Sequence, residues 1–177
     1  MRKRVTKDTL RAFMEKLAKA AQSPGNVYFT GGATALLLGF REQTLDLDIK
    51  LDPEPKGAFE AIARLKNELD LNIELASPDD FIPAGANWRA RSRHIATIGQ
   101  LDFFHYDFAL QALSKLERGY AQDLEDVAHF LERMLVTPAE LRGLFKEIEP
   151  GLIRYPSLNP QQFKAKVEAF LERWPKS

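Results

Sequence analysis

Apolar residues recur at helical spacing from about Thr6 to Ala21, at Leu10, Phe13, Met14, Leu17 and Ala21, and Pro24-Gly25 ends the pattern. This predicts an amphipathic first helix. Val27 to Thr30 is a short β-prone run that breaks on Gly31-Gly32, and Ala33 to Leu38 then reads as a short apolar helix closed by Gly39. From Thr44 to Leu51 polar and apolar residues alternate, which predicts a strand with Leu45, Leu47, Ile49 and Leu51 on one side and Thr44, Asp46, Asp48 and Lys50 on the other. Pro53 and Pro55 punctuate its exit. Phe59, Ile62, Leu65 and Leu69 mark a helix returning over the sheet. Leu71 to Leu75 alternates again, with Asn72 and Glu74 facing away from Leu71, Ile73 and Leu75.

The stretch from Ser77 to Arg93 has no clear period and reads mostly as loop, and His94 to Tyr106 reads as a hairpin turning near Gly99-Gln100. The texture then becomes helical. Leu110, Leu113 and Leu116 share a face, as do Leu124, Val127, Leu131 and Met134, with Gly119 between the two segments. Thr137-Pro-Ala-Glu140 is a capping-box start with proline at the first helical position. Asn159-Pro160 repeats the signal before Phe163, Val167, Phe170 and Trp174, a stripe read as core. The expected fold is α+β: a small mixed β-sheet flanked by helices, with a C-terminal helical portion. Residues 1–106 would hold the sheet and first helix and residues 107–177 the helical portion, packed together as one structural unit.

Composition narrows the chemistry. The 177 residues carry 25 basic and 25 acidic side chains, so no global field draws the chain to a polyanion or a membrane, and any such site must be local. There is no cysteine, which excludes a disulfide framework and thiolate chemistry. Met1-Arg-Lys-Arg4 is followed by an amphipathic, charged stretch rather than an apolar run. Neither a signal peptide nor a membrane span is expected, and a cytoplasmic location is.

Asp46 and Asp48 carry the strongest chemical signal. Acids at i and i+2 of one strand emerge from one face roughly 6.5–7 Å apart and can flank one or two hard cations such as magnesium or manganese. A glycine pair ending the preceding strand brings backbone amides to a turn where phosphate is favoured, and Thr30 adds a hydroxyl nearby. His94, His105 and His129 have no ligand spacing. Arg89, Arg91 and Arg93 beside Trp88 could grip RNA or a phosphate tail by charge and stacking, or form a solvated loop.

Phe29-Thr-Gly-Gly-Ala-Thr-Ala-Leu-Leu-Leu-Gly39 followed by Arg41-Glu-Gln-Thr-Leu-Asp-Leu-Asp-Ile49 resembles the signature of the polymerase-β-type nucleotidyltransferase superfamily, most of all its AbiEii-like branch. Lys115-Leu-Glu-Arg118 and Asp123-Leu-Glu-Asp126 resemble two helical motifs of that branch. The likeness spans roughly residues 25 to 132. It implies a nucleotidyltransferase fold in which Gly31 and Gly32 contact phosphate and Asp46 and Asp48 ligate magnesium or manganese. Arg41 and Thr44 match motif positions, Lys115 and Arg118 would reach the nucleotide, and Asp123 and Asp126 correspond to the last acidic motif. Glu74 stands where the third acid of the fold lies on a neighbouring strand, usually as aspartate.

The implied activity is transfer of a nucleoside monophosphate from a nucleoside triphosphate to a hydroxyl of RNA, transfer RNA included, or of protein. The resemblance also implies a toxin-like bacterial role with an antitoxin partner. Two alternatives stay open: a catalytically inactive relative that binds nucleotide or a protein partner, and an interaction protein whose acids are coincidental.

Overall fold

The Thr6 side chain accepts the amide of Thr9 at 3.3 Å while the Thr9 hydroxyl accepts that of Thr6 at 2.8 Å, a reciprocal cap that starts α1 (Lys7–Ala20). The computed structural model describes residues 1–174. The chain divides into two compact units, Met1–Ser77 with Ser92–Tyr106, and Pro78–Arg91 with the chain from Asp107 onward. The fold is α+β, with a five-stranded mixed sheet flanked by helices. Among the described residues no helix is long and apolar enough to cross a membrane.

The sheet belongs to the first unit. Its strands are β1 (Gly25–Thr30), β2 (Asp46–Leu51), β3 (Asn72–Leu75), β4 (Arg93–Ile98) and β5 (Leu101–His105), in the order β3-β2-β1-β5-β4. β1 is antiparallel to β2 and parallel to β5, β2 is parallel to β3, and β4 and β5 form the hairpin expected around Gly99. The helix α2 (Gly32–Leu37) connects the antiparallel neighbours β1 and β2, and α3 (Ala58–Glu68) is the crossover between the parallel β2 and β3. Val27, Phe29, Leu47, Ile49, Ile73, Leu101 and Phe103 project from one face into a core shared with Leu10, Phe13 and Leu17 of α1, Leu36 of α2, and Ile62 and Leu65 of α3. Each such side chain contributes about 1.5–3 kcal/mol on leaving water, so burial fixes which face of each strand turns inward.

The second unit is helical: a single turn α4 (Trp88–Arg91), then α5 (Phe108–Arg118), α6 (Ala121–Glu132), α7 (Pro138–Ile148) and α8 (Pro160–Leu171). Thr137 and Glu140 form the expected capping box, and Asn159 accepts the amide of Gln162 to start α8. Leu110, Leu113 and Leu116 are buried on α5, which packs against α6, α7 and α8. Edge-to-face ring pairs, Phe108 on Phe130 and Phe145 on Phe163, close the interior.

Several expected positions differ. Leu45 is 54% exposed: Thr44 makes an isolated bridge to Val5, the chain bends, and the strand starts only at Asp46. Phe59 is 52% exposed because α3 begins at Ala58, so its inward stripe is Ala58, Ala61, Ile62 and Leu65. Leu75, at the end of edge strand β3, is exposed. Met134 lies beyond α6 at φ 55° and points to solvent. The stretch read as loop holds a 3-10 turn at Pro78–Asp80 as well as α4, and a second such turn spans Glu149–Arg154.

Candidate functional site

Burial of Phe29, Leu47, Ile49 and Ile73 on the core side leaves Thr30, Asp46, Asp48, Asn72 and Glu74 on the opposite face of β1, β2 and β3. Strand register aligns them. Thr30 pairs with Asp48 and Asp48 with Glu74, a row across three strands, while Asp46 pairs with Asn72 in the row beside it. Asp46 and Asp48 are half-buried, Glu74 is exposed and Thr30 buried. The amide of Asn72 donates to Asp46 Oδ1 at 2.5 Å and to Glu74 Oε1 at 3.0 Å, holding two of the three acids in one network.

The glycine turn lies against this row. Gly31 has φ 61° and ψ −130°, a conformation closed to other residues, and a Cβ placed on it would sit 3.2 Å from Asp48 Oδ2. Gly32 begins α2 directly over Thr44, which double hydrogen bonds with Val5, at 2.8 and 2.9 Å, hold in place. α2 has only six residues, so the turn contributes close backbone approach rather than the dipole of a long helix. Arg41 is half-buried in the connection between α2 and β2.

Behind the turn, the Thr34 hydroxyl donates to the Phe29 carbonyl at 3.2 Å and lies 3.1 Å from His105 Nδ1. Burial, with Arg93 adding to it, pushes His105 from 6.5 down to about 4, so it is neutral at pH 7. The histidines do not gather: His94 contacts Thr97 and Asp102, and His129 pairs with Glu132 at 3.6 Å.

The remaining motif residues form their own cluster in the second unit. Lys115 and Arg118 occupy the last turn of α5, and Gly119 at φ 74° reverses the chain so that Asp123 and Asp126 of α6 come back onto them. Lys115 Nζ is 2.7 Å from Asp126 Oδ2 and 3.5 Å from Asp123 Oδ1, which Arg118 Nη2 reaches at 2.5 Å. Lys115, Asp123 and Asp126 are buried, and Asp123 Oδ2 is a buried oxygen with no hydrogen-bond partner among the described residues.

Two features escaped the sequence reading. Alternation within β3 sets Asn72 on the same face as Glu74 and says nothing of the acids of β2. Its contact with Asp46 depends on the β2–β3 register, which periodicity within one strand does not reveal. Asp107 caps α5, accepting from Ala109 at 3.1 Å, and its Oδ2 takes Arg91 Nε at 2.9 Å and Nη2 at 2.7 Å. Burial raises its carboxyl above the ordinary range against the pull of Arg91. An aspartate before an apolar helix is a legible cap signal, whereas its arginine partner is not. The arginine ladder thereby splits: Arg91 serves Asp107, and Arg89 lies 4.5 Å over the Trp88 ring.

Among the described residues, no three of histidine, cysteine, aspartate and glutamate form a group suited to holding a metal ion. Comparison of the chain with protein-family models, curated proteins and solved structures gave no match.

Proposed function

We propose that the protein is a magnesium-dependent nucleotidyltransferase with a nucleotidyltransferase fold, moving a nucleoside monophosphate from a nucleoside triphosphate to a hydroxyl of RNA or protein. The observation that carries this is the row Thr30, Asp48 and Glu74 with Asp46 beside it, on one sheet face next to the Gly31 turn. Two half-buried carboxylates two residues apart on one strand face fit a hard divalent cation, magnesium or manganese. When bound, such an ion neutralises phosphoryl oxygens and makes an attacking hydroxyl more acidic.

The chain's own residues then have separable roles. Asp46 and Asp48 hold the ion, and the backbone of Gly31 and Gly32, with the Thr30 hydroxyl, takes the phosphate tail. Asp46 or Glu74 accepts the proton of the acceptor hydroxyl as its oxygen bonds to the α-phosphorus. The bond from that phosphorus to the β-bridging oxygen breaks in line, and pyrophosphate leaves. Arg41, Thr44, Lys115, Arg118, Asp123 and Asp126 are proposed as nucleotide contacts on the family resemblance. The partnerless oxygen of Asp123 supports that assignment by giving its cluster an unused acceptor. The same resemblance supports a toxin-like role in a bacterial cytoplasm, with an antitoxin partner.

A second reading, a catalytically inactive module that binds nucleotide or protein in a toxin–antitoxin system, is favoured by Asn72. Its amide already occupies Asp46 Oδ1, and it ties Glu74 back at the exposed end of the row. Incubation with labelled nucleoside triphosphates, magnesium and total transfer RNA separates the two. Transfer is expected, reduced roughly 100-fold or more by Asp46→Ala or Asp48→Ala. Nucleotide binding without label transfer selects the inactive module, and a lack of magnesium-dependent nucleotide binding rejects the transferase and the nucleotide-binding form of the module.

A further inference from the structure

The second unit holds a cleft of about 400 Å3 that none of the proposed transferase residues lines, a size within the range of about 300–1,000 Å3 usual for small-molecule sites. Its floor is apolar, made by Phe108, Ala109, Leu135, Val136 and Leu144. Its charge is one-sided. Arg91 is the one cation in the lining among the described residues, and it is already engaged with Asp107 Oδ2, at 2.9 and 2.7 Å, and with the Ala86 carbonyl at 3.0 Å. Glu140 and Glu147 line the same cleft and are exposed. Glu140 accepts the Thr137 amide and Glu147 the Ala86 amide, both at 2.7 Å, and neither has a cationic partner among the described residues. The two stand seven residues apart on one face of α7, about 10 Å along its axis at helical rise. Gly143 lies between them and lines the cleft, and a Cβ built on it would meet nothing within 4 Å. Glycine inside a helix is unfavourable, and here no packed neighbour requires it; its missing side chain leaves open space between the two carboxylates.

We propose that this cleft binds a linear aliphatic polyamine, with its methylene segments on the apolar floor and its ammonium groups on Glu140 and Glu147. An anion, a triphosphate included, would meet three carboxylates and a guanidinium already engaged. A single inorganic cation does not fit either, since among the described residues no three acids gather into a metal site. Carboxylates held about 10 Å apart along a helix, with hydrocarbon between them, match a cation whose own charges are separated by hydrocarbon. The inference goes beyond the transferase reading and needs no turnover.

Isothermal titration calorimetry of the full chain with spermidine reads the binding directly, with n-butylamine as a probe of single charge. Spermidine is expected to bind at least about tenfold more tightly, because only it engages both acids at once. Glu140→Gln together with Glu147→Gln removes both charges while keeping a side chain able to cap α7 and to accept the Ala86 amide, and should weaken spermidine by about tenfold or more. Glu168→Gln with Glu172→Gln removes the same charge at exposed positions outside the cleft and should cost less than about twofold. Gly143→Leu fills the space between the acids and should also weaken spermidine by about tenfold or more, with a melting temperature no lower than wild type, since leucine favours a helix over glycine. Equal losses in the two double variants overturn the proposal, as does a wild-type chain that ignores spermidine or binds n-butylamine as tightly. A lysine peptide bound more tightly than spermidine would overturn the small-molecule occupant. Asp46→Ala, which stops transfer on the reading above, leaves this binding intact, so either idea can fail alone.

Discussion

Gly32 and Thr44 compete for the same space: a Cβ on Gly32 would lie 2.8 Å from the Cβ of Thr44 and overlap its hydroxyl. Thr44 cannot retreat freely, since its amide and carbonyl are both bonded to Val5. Gly32→Ala is therefore expected to cost about 2–3 kcal/mol in urea unfolding, the range for overpacking a fixed site. Pairing it with Thr44→Gly should recover at least about 1 kcal/mol as a coupling energy. Strict additivity of the two substitutions would show that the turn relaxes by another route.

The carboxylate pair makes a prediction independent of catalysis. Asp46 and Asp48 hold like charges on one strand face, so Asp48→Asn should leave stability unchanged or raise it by a few tenths of a kcal/mol without metal. Magnesium at about one hundred times its dissociation constant should add about 2.7 kcal/mol to the wild-type chain and almost nothing to the variant. Thermal melts with and without the ion decide it. A wild-type melting temperature indifferent to both magnesium and manganese would count against the cation.

Asp46 and Asp48 share a face because Leu47 and Ile49 must be buried, and the alternation of those four residues is visible in the chain. The hairpin at Gly99 and the Thr137 and Asn159 caps were legible for the same reason: each is a local rule met within a few residues. The failures lie where a distant partner overrides the local pattern. Leu45 continues the alternation in sequence, yet Val5 takes Thr44 and the strand starts only at Asp46. Phe59 carries the most apolar side chain of its turn, but the helix start at Ala58 rotates it outward. Asn72 joined the acids through strand register, and Lys115 met Asp126 through the reversal at Gly119, neither of which periodicity encodes.

His105 makes stability depend on pH. Its folded value near 4 lies below the ordinary 6.5, so in that window the unfolded chain binds more protons than the folded one. Its contribution is complete above pH 6.5 and is lost as pH falls toward 4, in all about 3 kcal/mol. Glu68 and Asp102, held low by hydrogen bonds from Lys16 and Thr97, lose theirs at lower pH. Asp107 is raised by burial and opposes the trend above its ordinary 3.8. Unfolding free energies between pH 5 and 6.5 should therefore rise with pH in the wild-type chain and flatten in His105→Gln. An equal slope in both would place the proton elsewhere.

Lys115 and Asp126 test how a buried ion pair is held. At 2.7 Å and with both side chains almost out of solvent, Asp126 is the principal counter-charge of Lys115, while Asp123 stands off at 3.5 Å and is also matched by the exposed Arg118. Asp126→Ala leaves a buried ammonium short of its nearer partner and should cost about 3–5 kcal/mol. Asp123→Ala removes a carboxylate that already keeps one oxygen unsatisfied, and Arg118 can turn to water, so its cost should be nearer 1 kcal/mol. Exchanging the pair together, Lys115→Met with Asp126→Leu, should be close to neutral, because the desolvation of both charges disappears with their attraction. Denaturant midpoints of the three variants supply the ranking. If Asp123→Ala proved as damaging as Asp126→Ala, Lys115 would be held by both acids equally.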